Sequence, residues 1–367
     1  MLWILSSDVT EIDFSQDANS CAALENILSA VFCGYHVLKL TNADINKLRE
    51  QSSNFSGRSK AVILALSSQR FQKLPDIKYK ATISKSCKAP IKKTNFEWEI
   101  PFDSFSSHAA ANKTTILAED YIDAALYNFA AKHYVTKNKL KGFEVSSRSE
   151  AGGGSRIKSV LETIVSRKEE ICICVTDSDK YSPSASMSVT ARDCSNIVSK
   201  SKWPVAHIAT HARELENILP RKFINEVVDS HQQNEWQSIE NVAKKFSPLL
   251  PYIDIKEGTC MHWVLGLPKG SPCRTFWNKE LQSAAIKSPC NHDCLDSQTC
   301  EVGDSDKCNC VISQGVGTRI AEKVLDYLQK QSVAKSSEQV DKDLNQEWLS
   351  IGKEVFEWCC AAKPIRC

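Results

Sequence analysis

The stretches Thr114-Thr-Ile-Leu-Ala-Glu119 and Ile171-Cys-Ile-Cys-Val-Thr-Asp177-Ser-Asp179 decide the fold. Each is an apolar run too short for a helix that ends on a carboxylate. The second is continuously apolar, the pattern of a central parallel strand covered on both faces. Between them the apolar spacing changes. Ile122, Leu126, Phe129 and Ala130 recur every three or four positions, as do Ile157, Val160, Leu161, Ile164 and Val165, which marks two amphipathic helices. Phe143–Ser146 and Val205–Thr210 add two further candidate strands. This alternation predicts an α/β fold: a central parallel sheet with right-handed crossovers, flanked by helices.

Outward from this centre the patterning is weaker. In residues 1–112, Leu2–Leu5, Tyr35–Leu40 and Ala61–Leu66 read as strands. A helix over Cys21–Phe32 and a polar one over Asp44–Glu50 lie between them, giving a smaller N-terminal α/β region. Lys78–Ile83 and Phe96–Ile100 alternate like strands. Beyond the central region (113–230), residues 231–367 read as mainly helical. Trp236, Ile239, Val242, Ala243 and Phe246 share one face, Ile320–Leu328 repeats the pattern, and Trp348–Ala362 reads as a terminal helix. Gln331–Gln346 is polar, a linker or a solvated helix.

The chain of 367 residues has room for two or three cores. A formal charge of +2 gives no bulk field for nucleic acid, so any such binding would come from local patches. The first residues lack a basic leader and a cleavage signal, and no apolar run approaches a membrane span, so a cytoplasmic protein with no membrane partner is expected. In that setting the 16 cysteines read as reduced thiols or metal ligands rather than disulfides.

The acids repeat a placement. Glu119 follows the first central strand, and Asp123 comes one helical turn later. Asp177 and Asp179 follow the third strand, two apart, so an extended backbone would point both the same way. Arg213-Glu214-Leu-Glu216-Asn217 follows the fourth. Ligands of open α/β sheets bind at such carboxyl ends. Magnesium or manganese favours oxygen ligands, and two ions about 3.5–4 Å apart suit phosphodiester cleavage by water. Singly, each acid has a plain reading as a turn, cap or solvated residue; the conjunction suggests a metal site.

Ile116-Leu-Ala-Glu119-Asp-Tyr-Ile-Asp123, Gly152-Gly-Gly-Ser155 and Cys174-Val-Thr-Asp177-Ser-Asp179 together resemble a TOPRIM domain. With Arg213-Glu214-Leu-Glu216-Asn217 the likeness is to nucleases of the overcoming-lysogenization-defect (OLD) family, over about residues 113–220. The resemblance implies a magnesium-dependent endonuclease acting on DNA or RNA, often in antiviral defence beside an ATPase. Glu119 and Asp123 would serve one metal region, and Asp177, Asp179, Glu214 and Glu216 the other. The pattern departs at Asp120, where TOPRIM domains usually carry glycine. No phosphate-binding G-x-x-x-x-G-K-[ST] occurs, so an ATPase or sensor would be a separate chain or absent.

Three further features remain open. Lys256, in Lys256-Glu-Gly258 after the strand-like Tyr252–Ile255, would stabilise phosphate charge or stand as an exposed lysine before a turn. His207 and His211 flank the fourth strand and read better as packed or surface histidines than as proton shuttles. Cys290, His292, Cys294, Cys300, Cys308 and Cys310 crowd an insertion at about 287–312. A structural zinc on Cys290, Cys294, Cys308 and Cys310 is one reading, and free or oxidisable thiols the other. Against a nuclease stand two rivals: a nucleotidyl-transfer or strand-passage enzyme, for which no zinc ribbon or topoisomerase machinery is evident, and a non-catalytic protein-binding partner.

Overall fold

The computed structural model describes residues 1–67, 76–283, 294–300, 308 and 310–365. Two compact units divide the chain: Met1–Val175 with Asp193–Ile208 and Leu349–Cys367, and Thr176–Arg192 with Ala209–Trp348. The first is α/β, with parallel pairing in its sheets and helices flanking them.

Its N-terminal strands are β1 (Leu2–Leu5), β2 (Val37–Lys39), β3 (Lys80–Ser84), β4 (Ile91–Lys92) and β5 (Glu97–Pro101), in the order β2-β1-β3-β5-β4. The pairs β1–β2, β1–β3 and β3–β5 are parallel, and only β4 runs antiparallel, against β5. Ala61–Leu66, expected as a strand, lies inside the helix Gly57–Ser67. A short apolar run does not distinguish the two states, and here the start signal decides. The Ser56 carbonyl accepts the Lys60 N–H at 3.0 Å and its hydroxyl the Ser59 N–H at 3.3 Å. Ser59, Val62, Ile63 and Leu66 are then buried at helical spacing.

The central strands are β6 (Thr114–Ala118), β7 (Phe143–Val145), β8 (Ser147–Ala151), β9 (Cys172–Thr176) and β10 (Val205–Ala209). All but β7 form a four-stranded sheet ordered β10-β9-β6-β8, in which β6 is parallel to both β8 and β9. Every residue of β6 and β9 is buried, and each fully buried Ile, Leu or Val there contributes about 1.5–3 kcal/mol. The expected second strand is misplaced by sequence. Phe143–Val145 pairs instead with the terminal strand Cys360–Ala362, and the sheet takes the polar segment Ser147-Arg-Ser-Glu-Ala151 at its edge. An edge strand half open to water carries no apolar signature, which is why hydrophobic patterning passed over it. The expected terminal helix accordingly stops at Cys359. Its Gly352 packs so closely on the helix Tyr121–Lys137 that an added Cβ would run into the Ala130 carbonyl oxygen. The Trp358 ring meets Trp98 edge-on at 5.2 Å and Tyr79 at a tilt at 5.0 Å in the same core.

The second unit is mainly helical. The helix Gln233–Lys245 buries Trp236, Ile239 and Val242, and Ile320–Gln329 buries Val324, Leu325 and Leu328. Within Gln331–Gln346 a short helix, Val333–Glu338, buries Ser336 and Ser337. Tyr252–Ile255, expected as strand-like, follows and overlaps a tight helical run, Ser247–Tyr252, which holds Pro251. The strand comes later: β11 (Gly258–Cys260), antiparallel to β12 (Val311–Gln314).

Candidate functional site

In the second unit, the chain leaving Thr176 is laced to the segment 210–213. Thr210 donates its N–H to the Thr176 carbonyl at 3.0 Å, Ser178 N–H reaches the Thr210 hydroxyl at 2.9 Å, and the Ser178 hydroxyl reaches the Ala212 carbonyl at 2.7 Å. Asp179 N–H donates to the Arg213 carbonyl at 2.9 Å, with Asp179 in the left-handed region at φ +52°. Asp tolerates that conformation better than most residues. It also breaks the two-residue alternation on which a shared direction for Asp177 and Asp179 was expected.

This lacing brings Asp177 to Glu214 and Glu216 across more than thirty residues of chain. The Asp177 carboxylate accepts the Leu215 N–H at 2.9 Å. Lys256 then enters between the two glutamates, its Nζ 3.0 Å from Glu214 and 3.6 Å from Glu216, whose side chains are only 11% and 7% exposed. Arg213 lies 3.4 Å from Glu214 and 2.8 Å from Asp254. The turn carrying Lys256 is rigid. Asp254 accepts the Glu257 N–H on its side chain and the Gly258 N–H on its carbonyl, and the Asp254 N–H finds the Thr259 hydroxyl. Gly315 passes so close to the Lys256 carbonyl that no other residue fits there.

Burial alone would pull the Lys256 ammonium down, but Glu216, Glu214 and Asp177 together hold it well above the usual lysine range. Burial raises the Glu216 carboxyl despite Lys256 opposing it. The group sets four carboxylates (Asp177, Glu214, Glu216, Asp254) against two cations (Arg213, Lys256), so excess negative charge is concentrated where water is scarce. Lys256 is therefore a half-buried ion-pair partner rather than an exposed turn lysine.

The first unit holds Glu119 and Asp123, and each is tied into local structure. The N–H groups of Gly153 and Gly154 both donate to the Glu119 carbonyl at 3.0 Å, and Gly152 N–H reaches the Ala118 carbonyl at 2.7 Å. Gly153 and Gly154 hold positive φ, so this glycine-rich turn clasps the end of β6. Asp120, the departure from the TOPRIM pattern, is a helix cap: its side chain accepts the Ile122 N–H at 2.8 Å, while Asp123 accepts the Asp120 N–H at 3.1 Å. Burial lowers His207 to about 4. His211 donates its main-chain N–H to Glu347 at 2.6 Å. Arg221 pairs with Glu240 at 3.3 Å.

Of the cysteines expected to hold zinc, Cys290 lies outside the described residues; Cys294 is half-buried, and Cys308 and Cys310 are buried. Among the described residues, no group of three or more His, Cys, Asp or Glu side chains is already arranged around a metal position, and no helix is long and apolar enough to cross a membrane. Comparison of the chain with protein-family models, with curated proteins and with solved structures returned no match. Sequence reasoning overlooked Asp254, for which Asp254-Ile-Lys256-Glu-Gly258 carried a turn signal, an Asp four residues before a Gly.

Proposed function

We propose that this chain is a nuclease that hydrolyses DNA or RNA phosphodiesters, with Asp177, Glu214, Glu216 and Lys256 at the centre of its site. The supporting observation is the meeting of these residues, remote in sequence, in one partly buried group that holds more carboxylates than cations. Such a group is costly unless it serves to hold a further cation. The order and setting of the acids resemble the TOPRIM nucleases of the OLD family, which extends the proposal to an antiviral effector working with a separate ATPase or sensor.

A magnesium-class ion would supply Lewis-acid stabilisation of phosphoryl charge. The carboxylates do not fit that ion as placed: Glu214 and Glu216 face Lys256, Asp177 is engaged by the Leu215 N–H, and no three acids enclose a cation among the described residues. Lys256 and Arg213 are the cations already in the group, each paired with a carboxylate. Either would carry the positive charge that meets a phosphate, and burial raises the Glu216 carboxyl towards proton uptake.

A second reading is favoured by that misfit: the group is an ion-pair knot in a non-catalytic, protein-binding chain. Incubation of the purified protein with plasmid and with RNA, with manganese or magnesium, separates the two. Metal-dependent cleavage by wild type that is lost in Asp177→Ala supports the nuclease. Equal background from both proteins at all metal concentrations sinks it.

A further inference from the structure

In the second unit a cavity of about 610 Å³ opens where the helix Gln233–Lys245 meets the β11–β12 pair. Its size is that of a small-molecule site. The helix is fastened there by Ser238, whose hydroxyl accepts the Gln314 N–H at 2.7 Å. Glu235 lies three residues before Ser238 and shares its helical face, while Ser313 stands next to Gln314 on β12. Across the strands from Ser313, the Thr259 hydroxyl is already engaged by the Asp254 N–H at 2.9 Å. The walls of the cavity gather Glu235, Ser313, Glu257, Trp263 and the paired Arg213 and Asp254.

Two of these groups are buried with nothing to bond. Ser313 is only 1% exposed, and its hydroxyl has no hydrogen-bond partner among the described residues. The Oε2 atom of Glu235 is likewise shut off from solvent and unpartnered among them. An unsatisfied buried polar atom costs about 1–3 kcal/mol, and more when it is charged. Two of them on one cavity wall are explained by a donor from outside the chain. The charges of the walls give that donor its sign. Arg213 is held by Asp254 at 2.8 Å and by Glu214 at 3.4 Å, whereas Glu235 and Glu257 form no ion pair among the described residues. The acids do not close around one point as a metal ion requires. Separate carboxylates suit a cation whose charges are spaced along a chain, and the π face of Trp263 attracts alkylammonium groups.

We propose that this cavity binds a small organic polyamine, with one ammonium donating to Glu235 and Ser313 and another meeting Glu257 beside Trp263. An ammonium has three N–H donors and no acceptor, which matches a carboxylate and a hydroxyl that both lack a donor. The half-buried Glu235 turns its unpartnered oxygen toward the ligand without giving up a bond. The inference goes beyond the nuclease reading and stands independently of it.

The test is isothermal titration calorimetry of spermidine into the full chain, with a straight-chain octanediol as the uncharged ligand of like length and tetralysine as the protein-borne amine. Wild type should bind spermidine saturably and ignore the diol. Glu235→Gln, which keeps the size of the side chain, should weaken binding about ten-fold, and Ser313→Ala about five-fold. Glu11→Gln, in the other unit, should leave it unchanged. Should a variant fail to fold, the wild-type contrast between spermidine and the diol still decides. Absence of spermidine binding overturns the proposal, as does equal binding of the diol or undiminished affinity in Glu235→Gln. Tetralysine bound more tightly than spermidine also overturns it and points to a protein partner instead.

Discussion

Lys256→Met isolates the charge of the acidic group. Methionine keeps most of the stem's packing and removes the ammonium from between Glu214 at 3.0 Å and Glu216 at 3.6 Å. Breaking a buried pair by deleting one partner costs about 3–5 kcal/mol. Two features reduce that here: the Lys256 side chain is 28% exposed, and Arg213 still lies 3.4 Å from Glu214. A loss of about 2–3 kcal/mol follows, or a fall in Tm of roughly 5–10 °C. The sign with pH is fixed by Glu216, whose carboxyl is raised by burial even in wild type. A carboxyl raised in the folded state costs stability as pH climbs through its ordinary range and above, and nothing below it. Lys256 stays charged throughout because its own shift is upward. The Tm gap between wild type and variant should therefore be widest near pH 8 and shrink towards pH 4.5, measured by thermal unfolding across that span. Manganese adds a second axis. Should the acids accept a divalent ion once the lysine is gone, saturation at about 100 times Kd returns about 2.7 kcal/mol, and the variant gains more than wild type. A gap indifferent to pH would refute the electrostatic argument. A variant unmoved by manganese would remove the support for cation binding by these carboxylates.

Three other outcomes follow from the structure. Burial lifts Glu357 to about 7, Glu354 adding to the effect, so the fold is penalised as pH rises from about 4.5 to 7. The full shift is worth about 3 kcal/mol, discounted for solvent screening to about 1–2 kcal/mol; Glu357→Gln should raise Tm at pH 8 and leave it unchanged at pH 4.5. Gly352→Ala should lower Tm by several degrees, because the methyl meets the Ala130 carbonyl; an overpacking cost of about 1–3 kcal/mol is expected, and an unchanged Tm would contradict the close approach. Asp123→Ala removes the acceptor for the Asp120 N–H and should cost on the order of 1 kcal/mol in thermal unfolding, with manganese binding by calorimetry unaltered.

The buried strands were the legible part of the fold. β6 and β9 face apolar neighbours on both sides, so their composition alone marks them, and the helices that cover them repeat every three to four residues. β8 was illegible for the opposite reason: an edge needs only main-chain pairing, and Ser147-Arg-Ser-Glu-Ala151 supplies that with a polar surface. Gly57–Ser67 was misread because its signal lay in a serine cap rather than in its apolar run. Of the acids that spacing picked out, the structure brings Asp177, Glu214 and Glu216 together around Lys256. Asp179 has a left-handed backbone that departs from strand alternation, and Asp123 accepts the Asp120 N–H in a helix cap. The partnership of Lys256 with both glutamates depends on a turn forty residues away and is not written in any local pattern.

The first unit is assembled from three separate lengths of chain, and its final strand, Cys360–Ala362, zips onto Phe143–Val145. During synthesis the ribosome must therefore deliver almost the whole polypeptide before Trp358 can fill the space between Trp98 and Tyr79. An excised 113–230 segment would lose the helix that packs Gly352 against Ala130 and leave that flank of the helix Tyr121–Lys137 uncovered, so aggregation rather than a miniature enzyme is what a bacterial expression trial of it should yield.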